Sequence, residues 1–361
     1  VENKEIAYRR LRTQHITGAK ENTAAEVVQR LGAVQAQDYA QALWAIGSRM
    51  HNADVTAVEQ AIANREIVLT WPMRGTLHFV PAADIRWMLR LLASRIYSRL
   101  RGKLEQQELK FKQMMLAEKI ILDALREHKQ MRRVDLMKLL EYEGIATANG
   151  QGYNVLLYLA HSGLICMGPL EGKQQTFVLL DDWLPKVRDW SMEESLKELA
   201  TRYFTGHGPA TVYDFVWWSG LPIREARKGL EAARTNLLLE RQGGTEYWMG
   251  AEPSTASIPD SAVHLLAGYD EYLLGYKERS AIVKKEYAPL ISGKNAVFAP
   301  MLVIDGEIVG LWKRKIRKEK VDISVHPFTT LKSGQQEIIE AAQRYSEFMN
   351  MTLSRIDIDN V

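Results

Sequence analysis

Thr211-Val212-Tyr213-Asp214-Phe215-Val216-Trp217-Trp218-Ser219-Gly220-Leu221-Pro222 is the stretch on which the fold turns. Thr211 and Asp214, three residues apart, cap the start of a short helix through Trp217-Trp218. Ser219-Gly220-Leu221-Pro222 is a tight turn, and Pro222 suits the first turn of a following helix that runs to about Arg234. Upstream, Ser191 and Glu194 read as a capping box for a helix with Leu196, Leu199 and Tyr203 inward, broken by Gly206-His207-Gly208-Pro209. Downstream, Leu237-Leu238-Leu239-Glu240-Arg241 and Thr245–Met249 flank Gly243-Gly244 as a β-hairpin. Helix, tight turn, helix, hairpin is the order of a winged helix.

The same order recurs on both sides of the N-terminal half. At 111–180, helices over Met114–Arg126, Val134–Tyr142 and Tyr153–Leu159 precede strands at Leu164–Met167 and Thr176–Leu180. At 4–80, helices at 4–14, 23–31, 38–48 and 54–63 precede strands near Ile67–Leu69 and Gly75–Val80. A long helix at 82–101, with Ile85, Met88, Leu89, Leu92, Ile96 and Leu100 on one stripe, links the two. Beyond 262 the pattern changes. Val263–Ala267, Pro300–Ile304 and Glu307–Trp312 read as strands, with Asp305-Gly306 a type I′ hairpin signal. The basic run 313–320 continues the last of these strands. A helix at Gln335–Met349 and a strand at Leu353–Ile358 follow. The fold class is therefore α+β: three tandem winged helices with an α+β C-terminal extension. The expected boundaries are 1–103, 104–190, 191–260 and 261–361, with Ala251–Pro259 as a linker.

The 361 residues, 46% apolar and 25% charged, have the composition of a soluble multi-domain chain. One cysteine, Cys166, excludes an internal disulfide and a cysteine-cluster metal site. No 18-residue apolar run exists, so no membrane partner is expected. Val1-Glu2-Asn3-Lys4-Glu5 has no apolar signal core, and cytoplasmic localisation is expected. Net charge is only +3, but cations are clustered. Arg86, Arg90, Arg95, Arg99, Arg101 and Lys103 crowd one helix. Lys313, Arg314, Lys315, Arg317, Lys318 and Lys320 crowd a second segment. Together they point to a basic groove, with Arg86, Arg90, Lys313, Arg314, Lys315 and Arg317 as candidate nucleic-acid contacts.

Candidate chemistry begins at Gln35-Ala36-Gln37. Residues at i and i+2 do not share a helix face. They share a side on an extended or irregular segment. Gly32 ends the helix before them, and Asp38 with Gln41 reads as an N-cap and capping box for the next. The two amides therefore sit at a junction between helices. In Trp71-Pro72-Met73-Arg74-Gly75-Thr76-Leu77-His78-Phe79-Val80, alternation puts Arg74, Thr76 and His78 on one side of a strand, a plausible lining for the same cavity. Asp270, after the strand at 263–267, is a further candidate because a carboxylate stabilises a cationic transition state. No Gly-x-Gly-x-x-Gly follows a strand, and there is no P-loop or metal-ligand histidine pair. No nucleotide, metal or other cofactor is expected.

The chain resembles the winged-helix DNA glycosylases of the AlkZ/YcaQ type over nearly its whole length. The resemblance is carried by Gln35-Ala36-Gln37, by Thr70–His78, by Phe204-Thr205-Gly206-His207-Gly208-Pro209-Ala210-Thr211, by Trp217-Trp218-Ser219-Gly220-Leu221 and by Leu273-Leu274-Gly275-Tyr276. It implies three winged helices curved around a DNA channel, a Gln-x-Gln signature matched by Gln35 and Gln37, and excision of N7-alkylated guanine, including guanine-linked interstrand crosslinks. A monomer is expected. The competing class is a non-catalytic winged-helix DNA-binding protein such as a transcriptional regulator.

Overall fold

The caps set where the helices begin. Thr211 Oγ1 accepts from Asp214 N at 3.1 Å while an Asp214 carboxylate oxygen accepts from Thr211 N at 2.9 Å, and the helix Val212–Ser219 follows. Ser191 and Glu194 make the same reciprocal pair, as do Thr23 and Glu26 ahead of the helix Ala24–Leu31. Each box satisfies amides that the first helical turn leaves unpaired. The computed structural model describes residues 3–92, 111–186, 189–251, 262–291, 297–331 and 333–359. The fold is mixed α+β, with small sheets between helices, and the chain divides into two units, Val1–Ala61 with Leu196–Val361, and Ile62–Ser195.

In the first unit the helices Asn3–Thr13, Ala24–Leu31 and Tyr39–Gly47 are joined in sequence to the segment 196–361 only through the other unit. The helices Val212–Ser219 and Ile223–Ala233 are followed by the antiparallel hairpin Leu237–Gln242/Thr245–Gly250. Beyond it lies a five-stranded sheet in the order Thr352–Ile358, Lys320–Pro327, Glu307–Arg317, Met301–Ile304, Val263–Leu266. Its first pair is parallel and the rest antiparallel. The helix Gln335–Phe348 covers it with Ile338, Ala341, Ala342, Tyr345 and Phe348 buried. Tyr345 is held edge-on between Trp44 and Trp312, with centroids 5.2 and 4.9 Å away. Both indoles are satisfied, Trp44 Nε1 by Leu265 O and Trp312 Nε1 by Leu266 O, as buried tryptophans require.

The basic run corrects the sequence reading. It does not continue as one strand to residue 320. The strand ends at Arg317, Lys318 turns with φ +53°, and a return strand Lys320–Pro327 runs back along it with Val321, Ile323 and Val325 buried. Asp305-Gly306 is the expected turn, with φ of +51° and +85°, the type I′ signature.

The second unit has a helix Phe111–His128, a short strand Gln130–Arg132, helices Arg133–Tyr142 and Gln151–His161, and the hairpin Ile165–Glu171/Gln174–Leu179. The short strand, absent from the sequence reading, pairs with the second hairpin strand to make three. The hairpin Ile67–Met73/Thr76–Pro81 belongs to this unit. Its Trp71 stacks 6.3 Å from Phe177 and donates to the Tyr153 hydroxyl at 3.0 Å. On the helix at 85–92, Ile85, Met88, Leu89 and Leu92 are buried as the stripe requires. Ile96, Leu100, Arg95, Arg99, Arg101 and Lys103 lie outside the described residues, as does most of the linker read at Ala251–Pro259. Among the described residues no helix is long and apolar enough to cross a membrane.

Candidate active site

Gln35 and Gln37 lie where the sequence put them, between two helices. Ala24–Leu31 ends at Gly32, whose φ of +76° disfavours any other residue. Val34-Gln35 is extended, Gln37 and Asp38 form a bend, and Tyr39–Gly47 begins. Asp38 caps that helix by accepting from Gln41 N at 3.2 Å. The reciprocal half of the expected box is replaced by a longer-range bond: Gln41 Oε1 accepts from Gly268 N at 3.0 Å. Gln35 is buried, 7% exposed, and Gln37 is exposed.

The residue that fixes this junction is Glu271, which sequence reasoning passed over for its neighbour. Its carboxylate is 1% exposed. One oxygen accepts from the backbone N–H of Gln35 at 3.0 Å and the other from Trp218 Nε1 at 3.0 Å. A buried backbone N–H needs an acceptor, and an ionised one makes the stronger bond. His207 Nε2 stands 3.5 Å from the second oxygen, stacked on Tyr203 with centroids 4.8 Å apart. Trp218 also backs the turn before the glutamines, since a Cβ on Gly32 would sit 3.2 Å from its ring. A Cβ on Gly206 would collide with the Arg30 carbonyl oxygen, so the helix Met192–His207 lies directly against the end of Ala24–Leu31. Tyr276 accepts from Gln14 at 3.0 Å and donates to His207 O at 2.6 Å. The Gly-His-Gly-Pro, Trp-Trp-Ser-Gly and Leu-Leu-Gly-Tyr motifs are thus the masonry behind Gln35-Ala36-Gln37.

Asp270 has a different job from the one anticipated. It is fully buried and both oxygens are taken by Arg49, at 2.7 and 3.0 Å. It also caps the Glu271–Leu274 helix through Tyr272 N at 2.8 Å. Arg49 in turn donates to Gln14 and Ala45. Asp270 is therefore a structural ion pair that aims the next residue.

In the second unit, Arg74 departs from the expected strand. Met73 pairs with Thr76, leaving Arg74-Gly75, with φ of +54° and +72°, as the turn itself. His78 is fully buried, its Nδ1 2.9 Å from Thr76 O and its Nε2 3.3 Å from an Arg74 nitrogen. Arg74 and His78 brace the turn together, and the Thr76 side chain lies beside them with Oγ1 buried. Arg86 donates to Asp181 at 2.7 Å and reaches Leu184 O, while Arg90 pairs with Asp189 at 2.6 Å. Their charges are matched within the unit, which weakens both as phosphate ligands. On the basic hairpin, Lys313, Lys315 and Arg317 are exposed, with Arg317 3.4 Å from Asp322. Arg314 turns the other way and donates to the Tyr345 hydroxyl.

Comparison with known proteins defines the class. A crosslink-repair protein of Streptomyces sahachiroi, "Interstrand DNA cross-link repair glycosylase", is 27% identical over 323 residues, 84% of this chain and 85% of that one. The solved structure of "Streptomyces sahachiroi DNA glycosylase AlkZ" superposes with a TM-score of 0.76 at 23% identity, covering 99% of this chain and 100% of that one. The protein is a DNA N-glycosylase, a hydrolase of the bond between base and sugar. The family described as "DNA glycosylase AlkZ-like" matches residues 28–348, and the chain belongs to it. A regulator without catalysis is thereby set aside.

Proposed function

We propose that this glycosylase removes cationic N7-alkylated guanine from double-stranded DNA, and that Gln35 and Gln37 carry the hydrolysis. The observation behind this reading is the uncharged glutamine pair at a helix junction, with the backbone of Gln35 anchored on the buried Glu271 carboxylate. A glutamine is no general base at neutral pH. It orients a water and directs a carbonyl dipole at developing positive charge. Such a site suits a base that is already a good leaving group. N7-alkylguanine is a cation before reaction. When C1′–N9 breaks it takes the bonding pair and departs neutral, without protonation, leaving an oxocarbenium-like sugar. Water adds to C1′ and releases its proton to solvent. The buried Glu271 charge adds a negative field next to that developing cation. Gln37, exposed beside the Asp38 cap, holds the attacking water, and Gln35 supports the sugar.

The likeness to a crosslink-repair glycosylase supports guanine-linked interstrand crosslinks as a further substrate, each linkage carrying the same cationic N7. The element orders at 111–179 and 192–250 support two winged helices, with a third at 1–103 whose helices and hairpin fall in different units. Lys313, Lys315 and Arg317 on the exposed side of the C-terminal hairpin provide phosphate contacts. The reading is tested with duplex DNA carrying one N7-methylguanine, followed by alkaline cleavage at the abasic product. Cleavage only at the adduct supports it, and intact strands refute it.

A further inference from the structure

Tyr269 has a backbone that its side chain does not explain. Its φ is +61°, a region that bulky residues rarely enter and glycine enters freely. The conformation is imposed from both sides. Gly268 N is tied to Gln41 Oε1 at 3.0 Å, and Asp270 is locked on Arg49 and on Tyr272 N. The segment must bend here so that Gln41 and Glu271 both reach their partners. A glycine would serve that backbone better than a tyrosine. Strain kept in over-determined surroundings is a mark of a side chain with work to do.

The ring stands in the right place for such work. Gly268 and Asp270 are buried, whereas Tyr269 is half-exposed. Phe298 holds the ring edge-on, with centroids 5.8 Å apart and planes at 76°. Tyr269 is separated by one residue from Glu271, which carries Gln35, and follows Gly268, which is bonded to the first turn of the helix after Gln37. Burial and the Asp38 carboxylate hold its phenol above the usual range, which sets the ring within the field of the residue that follows Gln37. Resting on the function proposed above, we infer that the Tyr269 ring is a binding surface for the alkylated base, stacking on the cationic purine beside the two glutamines. An aromatic face attracts a delocalised cation more strongly than a neutral purine. Tyr269 is thus a specificity residue for the charged adduct over normal guanine.

The test uses a substitution that the backbone welcomes. Tyr269→Gly and Tyr269→Asn both suit positive φ, so the full-length variants should unfold within a few degrees of the unaltered protein. Two measurements follow on each. The first is single-turnover release of N7-methylguanine. The second is equilibrium binding to a duplex carrying 2′-fluoro-N7-methylguanine, whose glycosidic bond resists hydrolysis, against the same duplex unmodified. Tyr269→Gly and Tyr269→Asn should lose about tenfold in release and most of the preference for the modified duplex, with binding to unmodified duplex unchanged. Tyr269→Phe should retain both. Stable Gly and Asn variants with full release and full preference overturn the inference. So does a Gly variant that unfolds early yet, while folded, discriminates as before. An unaltered protein that neither releases nor prefers the adduct overturns the proposed substrate itself, and that is read before any variant is made.

Discussion

Replacing Glu271 by glutamine should loosen the glutamine junction while leaving the shape of the core intact. The carboxylate serves two buried donors, Gln35 N–H and Trp218 Nε1–H, each at 3.0 Å. A glutamine amide offers one oxygen, so its NH2 must face one of those donors. One buried N–H is left unsatisfied, a cost of about 1–3 kcal/mol. Glu271→Ala strips both acceptors and should cost roughly twice that, about 2–6 kcal/mol on the same basis. Urea unfolding reads this as a lower midpoint at unchanged slope. Because the junction shifts, single-turnover excision by folded Glu271→Gln should fall by up to about a hundredfold, the usual consequence of a misplacement near 1 Å. Trp218→Phe supplies the control. Without the indole N–H, the amide NH2 meets no donor, and the Glu271→Gln penalty should shrink by about 1 kcal/mol or more. A cycle additive within about 0.5 kcal/mol, or a Glu271→Gln protein with normal stability and excision, would refute the bracing role.

Gln35→Ala and Gln37→Ala should each reduce single-turnover excision by about ten- to a thousandfold, a loss of roughly 1.4–4 kcal/mol of transition-state stabilisation, with DNA affinity little changed. Uracil, hypoxanthine and 8-oxoguanine should stay in place in an abasic-site assay, and a double Gln→Ala variant with full activity on N7-methylguanine would reject the mechanism. Duplex affinity, measured by fluorescence anisotropy, should fall with salt at a log–log slope of roughly −4 to −5, flattened by Lys313→Glu with Lys315→Glu; a flat response in the unaltered protein would remove the electrostatic clamp. Burial pushes the His161 imidazole from 6.5 down to about 4, and neither ring nitrogen has a hydrogen-bond partner among the described residues. Between those values the unfolded chain takes up a proton that the folded one refuses, so stability falls as pH falls, by about 3 kcal/mol at pH 4. His161→Leu should flatten that acid limb in urea titrations, and an unchanged limb would show that other groups set it.

Features made by near neighbours in the chain were readable in advance. Thr211 with Asp214, Ser191 with Glu194 and Asp305-Gly306 each fix a helix start or a turn from residues within reach of one another. The turn at Arg74-Gly75 was not readable, because arginine carries no preference for positive φ and is held there by His78. The return strand Lys320–Pro327 was hidden by the basic run, whose charge hides the reversal at Lys318. Asp270 and Glu271 show the limit most sharply. Both are buried acids in one short motif, and only three-dimensional partners separate them: Arg49 takes the first, Gln35 and Trp218 the second. The Gln35 bond spans 236 residues of sequence, a distance over which no local periodicity carries information.

That separation has a consequence for biosynthesis. Residue 35 leaves the ribosome 236 residues before the acid that holds it. At about 5–20 residues per second the interval is roughly 10–50 s. Throughout it the nascent chain carries its glutamines without the carboxylate that sets them. A translation product broken off anywhere in that interval lacks both the set junction and the exposed Lys313, Lys315 and Arg317 of the C-terminal hairpin. Competence to damage DNA arrives only after most of the chain has been made.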